Sequence, residues 1–250
     1  MAVLILLPPS ETKARARQGS PMRPSELSFP GLAPTREAVI DAVIAASARD
    51  DALEVLRVPA SLGAEVAANA GLREMPARPA MEVYTGVLYD ALDHASLSPG
   101  AKRRAGNRLV MSSTLYGALR PGDRIAPYRA SMQADLPGLG TPGARWRAAL
   151  DDVLSPAAGP GLIVDCRSAT YAATWTPPPA LAPRWVAVQV PGVSHMAKHT
   201  RGLVARALCE SAPDPRRPAG LLPLLDAGFD CALTRPERPG RPWVLAVTAR

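Results

Sequence analysis

The sequence predicts an α/β fold in which helices flank a mixed β-sheet. Short apolar runs, typical of buried strands, recur along the chain, and segments with helical spacing separate them. The composition agrees, because 47% hydrophobic residues, 20% charged residues and a mean hydropathy near zero are ordinary for a folded protein. We expect a single domain over residues 1–250.

The expected strands are apolar runs bounded by turn residues. Val3–Leu7 is stopped by Pro8 and Pro9 and is typical of a strand buried on both faces. The other expected strands are Leu109–Met111, Leu162–Cys166, Trp185–Val190, Phe229–Leu233 and Trp243–Val247. A loop rich in Pro, Gly and Arg joins the last two strands, so they are predicted to form a terminal hairpin.

Helical periodicity predicts most of the connecting segments. The expected helices are Arg36–Ala48, Leu53–Leu56, Val87–His94, Ala144–Leu154 and His195–Glu210. The proline-rich segment 175–183 fits neither a helix nor a central strand, because proline removes backbone donors. It is expected to be a rigid surface connection, and a domain linker is the alternative.

Composition also bounds the partners and the compartment. A formal net charge of +7 favours polyanions, although the excess of arginine over three lysines could equally reflect a GC-rich genome. Three widely spaced cysteines without a C-x-x-C pair indicate neither a disulfide framework nor a zinc site. No apolar stretch reaches the roughly 20 residues of a membrane span, and Val3–Leu7 is too short for a signal peptide. We expect a cytoplasmic protein without a cofactor or a membrane partner.

The densest polar segment, Ser112–Asp123, directly follows an expected strand, where open α/β sheets place ligand sites. Its hydroxyls, glycine amides and Arg120, with Arg129 close behind, are suited to hold phosphate or carboxylate oxygens. The alternative is a turn-rich loop in which Asp123 pairs with Arg120 or Arg129. Four tyrosines border polar segments of this kind, and each is a candidate either for a ligand contact or for the core: Tyr84, Tyr116, Tyr128 and Tyr171.

A second basic group opens the longest expected helix. Lys198 and Arg201 are three residues apart and share one helical face, and backbone amides at a helix N-terminus favour an anion. His195 and His199 have a spacing that can suit a metal, but the sequence offers no evident third ligand. A solvated or capping role is therefore favoured, and no metal site is expected.

Leu136–Gly140 resembles the hairpin of helix-hairpin-helix DNA-binding modules, whose glycine amides approach a phosphate without base contacts. Such an element would cover about residues 133–154. A Pro-Gly pair interrupts the usual run into the second helix, so an ordinary turn is the alternative. The residues expected to contact DNA in the first case are Gly138, Gly140, Arg145 and Arg147.

Seven strings follow one another in order over almost the whole chain: Leu4–Lys13, Val83–Gly86, Leu115–Asp123, Pro127–Arg129 with Met132, Trp146, Ser168 with Tyr171, and Ala197–Leu203. Together they resemble the YaaA family of bacterial peroxide-stress-response proteins. The resemblance implies a mixed α/β fold peculiar to that family and a positively charged cleft. It further implies DNA binding and a role in limiting oxidative DNA damage.

Two functions follow as hypotheses. The first is a DNA-binding stress protein, expected to be a monomer that binds duplex or structured DNA with little sequence specificity. The second is an enzyme acting on a small phosphorylated or nucleotide-like substrate in the same cleft, with Lys13, Tyr116 and Lys198 as catalytic candidates. A third interpretation has the same strings only holding loops together. The ligand-binding candidates are Ser10, Tyr84, Thr85, Gly86, Ser113, Gly117, Arg120, Asp123, Tyr128, Arg129, Ser168, Tyr171 and Arg201.

Overall fold

A computed structural model describes residues 3–192 and 194–250, apart from the side chain of Ser194. The strands in this part of the chain are β1 (Leu4–Leu7), β2 (Arg78–Pro79), β3 (Leu109–Ser113), β4 (Gly117–Leu119), β5 (Arg124–Ile125), β6 (Ile163–Asp165), β7 (Trp185–Gln189), β8 (Phe229–Thr234) and β9 (Trp243–Ala249). The α-helices there are α1 (Ala33–Ser47), α2 (Ala52–Val55), α3 (Gly63–Ala68), α4 (Ala80–Val83), α5 (Val87–Leu92), α6 (Pro99–Arg108), α7 (Pro142–Ala149), α8 (Asp151–Ala158), α9 (Ala169–Ala172), α10 (Ser194–Glu210) and α11 (Leu222–Leu225).

Seven of these strands form one mixed sheet in the order β4-β3-β1-β6-β7-β9-β8. The neighbours from β3 to β9 run parallel, whereas β4 and β8 pair antiparallel to β3 and β9 at the two edges. The short strands β2 and β5 form a separate antiparallel pair. The predicted α/β class, with a mixed sheet and flanking helices, is confirmed.

The first apolar run forms the centre of this sheet. Every residue of β1 is buried, and the strand is hydrogen-bonded on both sides, with Ile5 opposite Leu109 of β3 and Leu4 opposite Ile163 of β6. A strand covered on both faces favours apolar side chains at every position, because neither set of alternating side chains meets water. That requirement explains why the sequence at this position is a continuous apolar run.

The other predicted strands lie within two residues of their expected limits, and β8 and β9 form the predicted hairpin. The segment Ser112–Asp123 differs from expectation. It completes β3, turns, and returns as the edge strand β4, and all its residues from Ser112 to Leu119 are buried. It is therefore a buried hairpin and not an exposed loop.

The helices differ from the predictions in several places, and the short helices α3, α4, α9 and α11 were not predicted. The segment expected to form one helix over Ala144–Leu154 contains α7 and α8, which meet at Leu150. The predictions lacked α6, although Ser98 caps it by accepting a hydrogen bond from the Ala101 amide and Pro99 occupies its first turn. Residues 126–135, ahead of the expected helix-hairpin-helix turn, contain no helix. The predicted two-helix module is therefore not formed.

Helix α10 packs closely against α5 at Gly202. A Cβ atom at this position would lie 2.2 Å from the carbonyl oxygen of Leu88 and 2.9 Å from Cβ of Ala91, so only glycine allows the two backbones to approach this closely. The contact fixes α10 relative to the turn at Gly86 that begins α5. In the described part of the chain, no helix is long and apolar enough to span a bilayer.

Candidate functional site

The candidate site lies where the loops after the parallel strands meet. The chain leaves β1 through Pro8 and Pro9, leaves β6 toward Ser168, and passes from β7 into α10. Because parallel strands end at a common edge of the sheet, these segments are brought together although they are distant in sequence. A pocket of about 250 Å³ between them is lined by residues from all three segments, among them Ser10, Ser168 and Lys198.

Backbone contacts with the Tyr-Thr-Gly string hold the turn after β1 in place. The Ala14 amide donates to the Val83 carbonyl over 2.8 Å, and the Thr85 amide donates to the Thr12 carbonyl over 3.2 Å. The Ser10 hydroxyl donates to the Thr85 carbonyl. Gly86 has a φ of +92°, a conformation that glycine adopts readily. Two of the recognised sequence strings therefore form one local structure.

Lys13 lies against aromatic rings. Its Nζ is 4.5 Å from the centroid of the Tyr128 ring and 5.8 Å from that of Tyr84, within the range of cation–π attraction. The pKa of the Lys13 amine is lowered to about 8, mainly by burial and to a smaller extent by Arg129, whereas Glu11 and Glu65 oppose the shift. A lysine in this environment holds its neutral, nucleophilic form far more often than an exposed lysine does.

The tyrosines around Lys13 are mostly internal. The Tyr128 hydroxyl lies 2.9 Å from the Ser113 Oγ and accepts from the Thr114 amide, and the Tyr116 hydroxyl donates to the Ala126 carbonyl. The Tyr84 hydroxyl is buried and has no hydrogen-bond partner among the described residues. Burial raises the pKa of Tyr84, Tyr116 and Tyr128 above the ordinary value, so all three are neutral phenols at physiological pH.

Arg129 connects the same turn to the opposite wall. Its Nη1 donates to the Glu11 carbonyl over 2.6 Å and lies 3.3 Å from Glu11 Oε2 and 4.0 Å from Glu65 Oε2. Its guanidinium therefore already has two acidic neighbours. The alternative pairing of Arg129 with Asp123 is not formed.

Three pockets share Glu11, and together they are called here the Glu11 recess. The pocket beside Lys198 has a volume of about 250 Å³, the pocket beside Lys13 about 520 Å³, and the pocket beside Arg57 about 360 Å³. Cationic side chains outnumber acidic ones in their lining. The cations are Lys13, Arg15, Arg57, Arg129, Lys198 and Arg201, and the acids are Glu11 and Glu65.

Many of the predicted site residues line this recess. The structure brings together candidates from five separate strings: Ser10, Lys13, Gly86, Tyr128, Arg129, Ser168, Tyr171, Lys198 and Arg201. Tyr84 lies beneath Lys13, and Thr85 holds the turn through its backbone. The Tyr171 hydroxyl lies 3.3 Å from the Thr114 Oγ1, which joins the loop after β6 to the hairpin after β3.

Arg120 and Asp123 have internal partners instead. Arg120 donates through Nη1 to the carbonyls of Asn107 and Leu109, and its guanidinium stacks over the Phe29 ring at 5.2 Å. Asp123 accepts from the Arg120 amide and from both donors of Ser28. Neither residue lines the Glu11 recess. Arg120 therefore does not join Lys13, Arg129 and Lys198, with which it was expected to converge.

Ser113, Tyr116 and Gly117 belong to the buried hairpin of β3 and β4. The Ser113 hydroxyl accepts from the Tyr116 amide, and Trp146 covers Gly117, where a Cβ atom would lie 2.7 Å from the indole ring. The Trp146 indole donates to the Thr114 carbonyl over 2.7 Å. This packing indicates a structural role for the three residues, because their polar groups are already satisfied inside the protein.

The hairpin at Leu136–Gly140 is closed by backbone bonds between its two ends, with Gly138 and Gly140 at φ of +72° and +77°. The helix α7 follows it, and Thr141 caps α7 by accepting from the Ala144 amide. Arg145 and Arg147 are exposed and donate to the carbonyls of Leu139 and Ala173. This surface lies outside the three pockets, and its contact with DNA stays a prediction.

Four charged recess residues were missed by sequence reasoning: Glu11, Arg15, Arg57 and Glu65. Glu11 lies within the string Leu4–Lys13 and Arg15 follows it, so adjacency to Lys13 was the available signal. Arg57 follows α2 with a φ of +51°, a strained backbone for arginine that a sequence pattern does not reveal. Glu65 lies on α3, at ordinary helical spacing.

Two of the three thiols are buried, and two of the histidines lie on α10. Burial raises the pKa of Cys166 and of Cys209 to about 12, so both remain protonated thiols at neutral pH. His195 is exposed and His199 is half-buried on α10. Among the residues that the structure describes, no three His, Cys, Asp or Glu side chains are grouped to hold a metal ion.

The fold and the recess define an α/β protein with a mixed seven-stranded sheet and a polar site at the carboxyl edge of its parallel strands. A sequence model of the family described as "Peroxide stress protein YaaA" matches residues 3–231. A UPF0246 protein of Streptomyces coelicolor is 47% identical to this chain and covers 98% of both chains. UPF0246 proteins of Corynebacterium efficiens and Corynebacterium glutamicum are 43% and 36% identical, over 84% and 90% of this chain and 86% and 92% of their own length. The chain belongs to the YaaA family of peroxide stress proteins.

Proposed function

We propose that this protein binds DNA through the Glu11 recess. The recess would then be the basic cleft of a stress protein that limits oxidative DNA damage. The observation that carries the proposal is the gathering of six cationic and only two acidic side chains around one turn. Phosphate neutralisation by Lys and Arg supplies most of the affinity of proteins that bind DNA with little sequence specificity.

The exposed cations of the recess are the ones free to contact phosphates. Arg15, Arg57 and Lys198 are exposed, whereas Arg129 is bound to Glu11 and Lys13 is covered by Tyr128. Arg201 is half-buried, donates through Nη2 to the Val188 carbonyl, and lines the pocket beside Lys198. The planar fork of an arginine is suited to donate to phosphate oxygens.

Side-chain hydroxyl groups add to the same surface. Glycine at position 86 leaves room beside Ser10, and the side chains of Ser10, Thr12 and Ser168 line the same pocket as Lys198. Hydroxyl groups bind phosphate oxygens without reading bases, so they position DNA rather than select its sequence. This chemistry fits binding that tolerates many sequences.

The test is the salt dependence of binding to a fluorescent duplex, followed by anisotropy. Four phosphate contacts, from Arg15, Arg57, Lys198 and Arg201, predict a slope of about −3.6 in log K against log salt concentration. Arg57→Gln and Lys198→Gln should each weaken binding and reduce the slope by about one unit. Lys102→Gln is the matched control, because Lys102 is an exposed cation on α6 that lies outside the recess.

Binding that does not change between low and high salt would contradict the proposal. The same holds if Lys102→Gln weakens binding as much as Lys198→Gln, because the loss would then reflect net charge alone. A melting temperature equal to that of the wild type shows that each variant is folded.

One observation favours a second function, an enzyme acting on a small phosphorylated or nucleotide-like substrate. The pocket beside Lys198 presents hydroxyls together with Lys198 and Arg201, and it shares Glu11 and Thr12 with the pocket beside Lys13, whose volume of about 520 Å³ is of small-molecule size. This function predicts that a deoxynucleoside monophosphate raises the melting temperature of the wild type but not that of Lys198→Gln. An equal shift in both proteins, or none in either, would contradict it.

A further inference from the structure

We propose that Lys13 is an imine-forming amine directed at the aldehyde of an abasic deoxyribose in DNA, and that the protein cuts the strand there by β-elimination. The inference rests on the proposed DNA binding and names the substrate of the same recess. Three features carry it: the placement of the amine, the pocket in front of it, and the carboxylates beside it.

The amine is held at the wall of an open pocket. The Lys13 backbone pairs with that of Tyr84 in an antiparallel bridge, and its Nζ rests 4.5 Å from the Tyr128 ring centroid. No carboxylate forms a salt bridge with Nζ among the described residues, and its one hydrogen-bond acceptor there is the Glu11 carbonyl at 3.4 Å. An amine that is desolvated and lacks a carboxylate partner loses its proton at a lower pH, and the pKa of about 8 agrees with this arrangement.

The pocket in front of Lys13 is large enough for an extrahelical sugar. It has a volume of about 520 Å³ and is lined by Thr12, Tyr128 and Arg129 together with Glu11 and Glu65. An abasic nucleotide lacks a base to stack, so its extrusion from the duplex costs less than the flipping of an intact nucleotide. The surrounding cations would hold the flanking phosphates.

The reaction balances without an added oxidant or cofactor. The Lys13 lone pair attacks C1′ of the aldehyde, the carbonyl oxygen takes a proton, and loss of water gives the iminium ion. A recess carboxylate, Glu11 or Glu65, then removes a C2′ proton. The C3′–O bond breaks, and the 3′ phosphate leaves with the bonding electrons. Hydrolysis of the remaining imine restores the amine and releases an unsaturated aldehyde on the cut strand.

The sequence makes the assignment easy to test, because the chain has three lysines, Lys13, Lys102 and Lys198. The protein is incubated with an end-labelled duplex that carries one abasic site, and sodium borohydride is added to reduce any imine. We expect a covalent complex on a denaturing gel and, without borohydride, a strand cut on the 3′ side of the abasic site. Peptide mapping should place the cross-link on Lys13.

The variants separate chemistry from folding and from binding. Lys13→Arg keeps the positive charge but removes the nucleophile, so trapping should fall at least tenfold while anisotropy shows that the duplex is still bound. Lys102→Arg, on the exposed side of α6, should trap as well as the wild type. Equal melting temperatures show that loss of trapping in Lys13→Arg is not unfolding.

Several results would overturn the proposal. One is that the duplex binds but no covalent complex is trapped. Another is that Lys13→Arg is trapped as well as the wild type. A third is that the cross-link maps to Lys198 or to the amino terminus. A trapped complex without strand cleavage would refute the elimination step. Trapping of 2-deoxyribose 5-phosphate but not of the duplex would show that the amine reacts with a small sugar and not with DNA. Loss of duplex binding itself, measured without borohydride, would refute the proposed function instead.

Discussion

At the scale of single residues, arginine has two different roles in this protein. Arg36 is fully buried and donates to the carbonyls of Ser28, Tyr116 and Ala118, so it ties α1 to the β3–β4 hairpin. Burial lowers its pKa to about 10. Arg57 is exposed in the recess and is free to contact a ligand. The arginine excess therefore cannot be read as phosphate binding alone.

Lys13 supplies a prediction about pH. Its pKa of about 8 in the folded protein lies below the value of 10.5 for a free lysine, so the unfolded state binds more protons between these limits. The free energy of unfolding of the wild type should therefore rise relative to that of Lys13→Met as the pH goes from about 8 to 10.5. Urea denaturation of both proteins at several pH values measures the difference.

The groups that face the Lys13 amine fix the size of this effect. Glu11 and Glu65 favour the charged amine and Arg129 opposes it, but desolvation is the largest influence. A difference that stays constant from pH 8 to 10.5 would show that the amine is not desolvated. A difference that falls over this range would show that the carboxylates outweigh burial.

At the scale of elements, the contact between α5 and α10 yields a sharp stability prediction. Gly202→Ala places a methyl group 2.2 Å from the Leu88 carbonyl, so we expect a loss of about 2–3 kcal/mol in the free energy of unfolding. Gly106→Ala on α6 is the matched control. It meets no atom within 4 Å and should gain about 0.5–1 kcal/mol from higher helix propensity. Chemical denaturation measures both, and equal effects of the two substitutions would contradict the close contact.

Sequence patterns predicted the interior strands well and the polar elements poorly. β1, β6 and β7 are largely apolar because a strand covered on both faces buries most of its side chains, so their sequences indicate strands directly. Asp165 of β6 is a buried exception, and it pairs with Arg167. Helix α6 is rich in Lys, Arg and Gly, and its hydrophobic contacts depend on Ala101 and Ala105, which leave little periodic signal. The strand β4 has three residues and was hidden among turn-forming neighbours.

At the scale of the whole molecule, the sheet order decides which candidates meet. The parallel strands β1, β6 and β7 end at the same edge of the sheet, and the loops that begin there place Ser10, Ser168 and Lys198 around one pocket. The family resemblance identified these residues one by one, but their convergence depends on strand order, which local sequence does not encode. The same order explains why Arg120, at the end of the antiparallel edge strand, lies elsewhere.

The central claim, that the Glu11 recess is the DNA-binding surface, is tested most directly by hydrogen–deuterium exchange with and without a duplex. We expect the duplex to slow exchange in residues 10–15, 57–62, 129–133 and 195–201, which border the three pockets. Protection confined to residues 136–147 would place DNA on the hairpin before α7 instead. That result would contradict the account.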